Sequence, residues 1–251
     1  MLSEDDKDKA KEILNLFESL KYLNENLDLK LHIDSDNELV FPVGYPGTIA
    51  EVETEVNWSK NHEHTDIYHD FCGQMAFITF SESGLKGSNE VHLKMCFSYA
   101  VTLMESCLCE MLKSVTMRYE KFRRNAMENV QELSSAKIKL SLLFDRDPKE
   151  LIDNEIIRNL SNILYHDLMK VKRVYKAILE KDITTIENDA YKNASELMKV
   201  RHDIVHRNGK KATGEVIDIT RDMVDSCIHN IMKFVEGVHN HINDAIVELK
   251  A

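Results

Sequence analysis

Glycine and proline are scarce: eight and three in 251 residues, and two of the prolines fall in one short segment, Phe41 to Gly47. A chain with so few breakers cannot be divided into many short strands and tight turns, so most of it must form long regular elements, and those read as helices. No run approaches the roughly 18 uncharged apolar residues that a membrane span needs, and the opening MLSEDDKDKAKE is too acidic to begin a signal peptide. The expected compartment is the cytoplasm, with no membrane partner. The five cysteines, Cys72, Cys96, Cys107, Cys109 and Cys227, include no Cys-x-x-Cys pair. An odd number without such pairing fits a reducing interior better than a disulfide framework. A Gly-rich phosphate loop, a G-x-S-x-G elbow and a Cys-His nucleophile pairing are all missing, which leaves nucleotide hydrolysis and serine or thiol catalysis poorly supported.

Arginine is missing from the first 90 residues. That stretch holds seven Lys against 19 Asp and Glu, a net of −12, whereas residues 91–251 hold 25 basic and 24 acidic residues, a net of +1. A polyanion would be repelled by the first part and tolerated by the second. With 43% apolar and 30% charged residues the chain has the balance of a soluble globular protein, long enough for one large or two small domains.

The texture changes along the chain. Ile13, Leu16, Phe17 and Leu20 have the spacing of an amphipathic helix over Asp5 to Asn24. LDLKLHI, ELVFPV, EVETEVNW and QMAFITF, between Leu27 and Phe80, read as strands. The cluster SESGLKGSN at 81–89 marks a boundary. The expected organisation is therefore a small acidic α+β domain over 1–88 and a helical bundle over 89–251, so that the fold class is mainly α. The bundle opens with VHLKMCFSYAVTLMESCLCEMLKSVTMRYEKF, apolar on nearly every side through its first half and hence central. Further helices are expected near 126–144, 148–163 (opened by Asp147-Pro148), 165–181, 182–206 and 220–249.

The chemistry concentrates in VRHDIVHRNGKK, Val200 to Lys211. Leu197, Val200, Ile204 and Val205 continue an apolar stripe, so RHDIV is helical, and Asn208-Gly209 stops the helix because either residue can adopt the left-handed conformation. KKATGEVIDI then forms a turn, and Thr220 caps the last helix. Within the stretch, His202 and His206 lie about 40° apart on a helix and could share an ion, beside Asp203. A zinc hydrolase built on HDIVH would need a third ligand, for which His229, His239 and His241 are candidates, and its second position would ordinarily be Glu. Arg201 and His206 offer another chemistry. A near-neutral histidine can take the proton of a ribose 2′-hydroxyl while arginine stabilises charge on the attacked phosphate, with no metal. On a straight helix the two side chains diverge by about 140°, but copies packed about a two-fold axis could line one cleft.

Arg201-His202-x-x-x-His206 at the end of a bundle helix, in the run RHDIVHRNG, resembles the Arg-x4–6-His motif of HEPN domains. The resemblance covers 91–251 as an architecture and 200–209 as a motif. It implies a HEPN-like helical bundle and a homodimeric, metal-independent endoribonuclease needing no cofactor, with Arg201 and His206 as the catalytic pair and His202 as the polar residue orienting the arginine or the phosphate. It further implies a toxin or antiviral role, with RNA as substrate and an antitoxin or regulatory protein as a possible partner. Inactive relatives that bind ligands or proteins supply the alternative.

Other basic residues are candidates for RNA contact. Arg207, Lys210 and Lys211, with Asn208, surround the motif and would hold phosphates. Lys170, Arg173 and Lys176, spaced i, i+3, i+6, form a basic edge with Lys172 nearby. RYEKFRR, Arg118 to Arg124, interleaves Tyr119 and Phe122, which read as core rather than as base-stacking rings. NHEHTDIYHD places His62, His64, His69, Asp66 and Asp70 close together in sequence without a defensible metal-ligand spacing.

Overall fold

The computed structural model describes residues 32–33, 39–40, 49–84, 90–138, 143–144, 146–187 and 189–250. The helix expected over 5–24 lies outside them. Two short strands, β1 (His32–Ile33) and β2 (Leu39–Val40), pair antiparallel with His32 opposite Val40; they fall inside two of the expected strands. All the other long elements are helices: α1 (Ile49–Asn61), α2 (His64–Gly84), α3 (Glu90–Arg118), α4 (Glu120–Asn129), α5 (Gln131–Ser134), α6 (Pro148–Ser161), α7 (Leu168–Leu179), α8 (Ala190–Arg207) and α9 (Arg221–Lys250), with a 3-10 turn at Ile183–Thr185. The fold class is mainly α, a helical bundle.

The strands expected at EVETEVNW and QMAFITF are helices α1 and α2. In α1 the buried residues are Val52, Val56 and Ser59, a spacing of four and three, and Thr54 donates its hydroxyl to the carbonyl of Ala50, one turn back. Val52 and Val56 satisfy a period of two and a period near 3.6 equally well, and the intervening glutamates favour the helix. In α2 the buried stripe is Ile67, Phe71, Met75 and Ile78, while Phe77 is 74% exposed. The β-prone run FITF is thus the end of a helical face that begins ten residues earlier.

Helix α3 is the axis of the bundle. The seven consecutive residues Met111 to Met117 are all buried, so over nearly two turns no face of the helix is left to solvent. Such a helix must be surrounded. It packs against α1, α2, α4, α6, α8 and α9. Among the described residues it is also the one helix long and apolar enough to cross a membrane, a test that a buried core helix passes equally. The expected boundary at 81–89 falls at the α2–α3 connection, of which 85–89 are not described. The apolar residues of α1 and α2 join the core formed by α3 to α9.

Polar contacts fix the outer helices. The Tyr175 hydroxyl on α7 donates to the Leu108 carbonyl at 2.7 Å, Asn125 on α4 donates to the Ile178 carbonyl at 2.8 Å, and Asp147 caps α6 by accepting from Lys149 N–H at 2.7 Å, with Pro148 in the first turn. The acidic segment is tied to the rest by cross-chain ion pairs: Glu53 to Arg146 at 2.7 Å, Glu63 to Arg118 and Glu55 to the buried Lys113. Arg118, the first residue of RYEKFRR, is therefore engaged, and Phe122 is buried with Tyr119 edge-on at 5.6 Å. Those two rings belong to the core.

One glycine of α9 sets a close approach. A Cβ on Gly237 would lie 2.3 Å from Ile186 Cγ2, in the segment following the 3-10 turn. In an open helix Gly→Ala gains about 0.5–1 kcal/mol, but overpacking against a β-branched side chain costs about 1–3 kcal/mol. Gly237→Ala is expected to lower stability by about 1 kcal/mol or more in urea unfolding followed by circular dichroism; an increase would show that the 183–187 segment yields freely.

Candidate functional site at the end of helix α8

Ala190, Ala194, Met198 and Ile204 face the core along α8. Arg201 follows Met198 by three residues and is therefore half-buried at the edge of that face, while His202 and His206 point outward and are exposed. Val205, expected in the apolar stripe, is 50% exposed; with Ile204 directed inward, the next residue is turned about 100° away. The helix closes where the sequence indicates. Asn208 (φ 52°) and Gly209 (φ 79°) are both left-handed, and both N–H groups reach back to the Asp203 carbonyl, that of Asn208 with the six-to-one spacing of a Schellman closure and that of Gly209 at 2.9 Å. From α3, the Lys94 ammonium donates to the Asn208 carbonyl at 3.3 Å. A small hairpin follows, with Lys210 paired to Val216 and Ile217 N–H donating to the Gly209 carbonyl at 2.8 Å. Thr220 then accepts from Met223 N–H at 3.3 Å to start α9.

Arg201, His202, His206 and Arg207 line one open cavity of about 480 Å³, whose opposite wall is His166, Leu168 and Met169. The rings of His202 and His206 are 4.7 Å apart, centre to centre. Asp203 is ion-paired with Arg207, one turn on, and Lys199 on the rim is bonded to Glu196 at 2.8 Å. Asn208, Lys210 and Lys211 do not line the cavity; they lie just beyond it in the cap and hairpin, where Lys211 pairs with Glu215 at 2.9 Å. The basic edge is elsewhere. Lys170 and Arg173 line a separate groove of about 390 Å³ with Glu132; Lys170 pairs with Glu132 at 3.1 Å and Lys176 with Asp182 at 3.4 Å.

The histidines weighed as metal ligands are dispersed. His229 is exposed on α9, His241 meets the Thr185 hydroxyl at 3.1 Å, and His239 stacks on Tyr68 at 4.4 Å. His62 stacks on Trp58, and the buried His64 donates to Asn243 Oδ1 at 2.8 Å. Burial, then the neighbouring His64 and His69, hold the His239 imidazolium below the usual range. Among the described residues, no three His, Cys, Asp or Glu side chains converge as a metal site.

Two residues at this site carry no motif. Glu105, on α3, lies behind Arg201: burial pushes its carboxyl above the ordinary range, and Arg201 and then His166 pull it back. Glu105 Oε1 and Arg201 Nε are both buried without a hydrogen-bond partner among the described residues. A carboxylate within the mostly apolar middle of α3, which also holds Glu110, was the signal available in the sequence. His166, in the turn between α6 and α7, left none.

The Glu105 shift has a stability consequence. A carboxyl whose pKa is higher folded than unfolded favours the fold when protonated and loses that contribution as pH rises through the folded value. Glu105→Gln is expected to melt higher than wild type at pH 7–8. As pH falls toward the ordinary carboxylate value of 4.5 the difference should vanish; a variant that melts lower at neutral pH would mean the Arg201 attraction outweighs desolvation.

A family model described as RiboL-PSP-HEPN matches residues 74–244, from the second half of α2 nearly to the end of α9 and across the whole Arg201-to-Gly209 segment. No curated protein matches the chain, and no solved structure does. The match covers more than half of the chain and agrees with the helical bundle that presents Arg201 and His206 at one cavity: the chain belongs to the RiboL-PSP-HEPN family of HEPN domains.

Proposed function

We propose that the protein is a metal-independent endoribonuclease that cuts single-stranded or looped RNA at the α8 cavity. The observation that carries this reading is the shared cavity itself, where Arg201 and His206 stand at a closed helix end with the tilted ring of His202 beside the base. In the reaction His206 takes the proton of a ribose 2′-hydroxyl, the 2′-oxygen attacks the adjacent phosphorus, and Arg201 stabilises the negative charge on the phosphoryl oxygens. The products are a 2′,3′-cyclic phosphate and a 5′-hydroxyl. Glu105 attracts Arg201 without bonding to it, a positioning residue that biases where the guanidinium stands before RNA arrives. Arg207, Lys210 and Lys211 hold phosphates on either side of the cut.

The active species is a homodimer in which two such cavities join about a two-fold axis. Val205 and Val216, exposed beside the motif, provide apolar surface for that contact. The biological setting that fits is a cytoplasmic toxin or antiviral effector held in check by a protein partner, with the acidic N-terminal part selecting substrate, receiving that partner or restricting RNA access.

The test is incubation with pooled tRNA and mRNA in excess EDTA, with chemical identification of new ends. Wild type should leave cyclic phosphates. Arg201→Ala and His206→Ala, still folded, should each lose about 10²-fold or more in rate. Intact RNA with a folded wild-type dimer would favour instead a HEPN domain that binds a ligand or protein.

A further inference from the structure

Transesterification of RNA needs two proton transfers, one from the attacking 2′-hydroxyl and one to the departing 5′-oxygen. Helix α8 offers a base and an electrophile, and the source of the second proton has to be sought around the cavity. Resting on the nuclease reading, we infer that His166 is a catalytic residue, the general acid that protonates the 5′-oxygen.

Three structural observations support this. His166 lines the same cavity as Arg201, His202 and His206, but from the opposite wall, the α6–α7 turn. In-line displacement requires attacking and leaving oxygens on opposite sides of the phosphorus, so a base on α8 calls for an acid across the cleft. The turn is also stiff. Its neighbours Ile163, Tyr165 and Leu168 are buried, Asp167 N–H is bonded to the Leu164 carbonyl at 2.9 Å, and the Asp167 carboxylate is fixed by capping Met169 and Lys170 N–H. His166 itself remains exposed and available to substrate. Finally, the buried Glu105 carboxylate senses both Arg201 and His166. One carboxyl thus lies near both side chains that would flank a phosphate.

The titratable and charged groups around His166 are Glu105 from α3, Asp167 beside it, and Lys199, Arg201, His202, Asp203, His206 and Arg207 from α8, with Asp203 and Arg207 paired to each other. Lys199 is bonded to Glu196. His202, 4.7 Å from His206, stands on the base's side of the cleft and is the rival donor within the chain. In the assigned step the 2′-oxygen–phosphorus bond forms, its proton passing to His206, and the phosphorus–5′-oxygen bond breaks as His166 gives its proton to that oxygen. Both histidines return to their starting states by exchange with water.

The experiment takes a short oligoribonucleotide cleaved by wild type and resynthesises it with sulfur replacing the bridging 5′-oxygen at the mapped site, because a thiolate leaves without needing a proton. On the oxygen substrate His166→Gln should lose about 10²- to 10³-fold in kcat/KM and lose the alkaline limb of the pH profile. On the sulfur substrate it should recover to near the wild-type rate, whereas His206→Gln stays impaired on both. An unchanged His166→Gln, or one equally impaired on both substrates, overturns the assignment. Rescue by sulfur of His202→Gln or His206→Gln, with His166→Gln at wild-type rates, transfers the proton to His202 or to His206 of a second copy. A wild type that cuts neither substrate removes the nuclease reading, and this assignment with it.

Discussion

The all-round burial of α3 is the constraint from which the architecture follows. Its consecutive residues Met111 to Met117 are buried on every side, and no arrangement of fewer than several helices removes that surface from water. The amphipathic α8 and α9 settle on one side, α1 and α2 on another, and α4 and α6 fill the remaining sector. The same demand explains why α1 and α2 are helices. A sheet would offer α3 one flat face, whereas two helices wrap it.

How far this was legible in the sequence differs by element. Helices α3, α6, α7, α8 and α9 were readable because each carries a long periodic stripe or an explicit stop and start, such as Asp147-Pro148, Asn208-Gly209 and Thr220. The local signal failed in α1 and α2, where Val52 and Val56 suit either period and FITF has strand propensity. Their helical state is set by the tertiary partner α3, which a local pattern does not name. The candidate site divides in the same way. Arg201, His202 and His206 lie within six residues, so spacing reveals them. Glu105 and His166 come from elements distant in sequence, and only the fold shows that both approach Arg201.

The site sits where the bundle is most firmly closed. Two consecutive left-handed residues, a carbonyl held by Lys94 and a hairpin pinned back onto Gly209 leave the end of α8 little freedom. Motion is expected instead in the exposed side chains of His202, His206 and Arg207, anchored on a backbone that does not shift. A fixed backbone that presents mobile polar side chains suits any site that must hold a ligand in one orientation.

The ion pairs between the acidic N-terminal helices and the bundle act on a wider scale. Glu53, Glu55 and Glu63 occupy Arg146, Lys113 and Arg118, three cations that would otherwise spread positive potential over the flank away from α8. With a formal net charge of −11 the molecule as a whole repels a polyanion, and the cations near α8 act only at short range. Added salt weakens the exposed members of this seam and screens the field of the acidic segment alike. Ionic strength thus sets both how firmly the acidic helices grip the bundle and how far their negative field reaches.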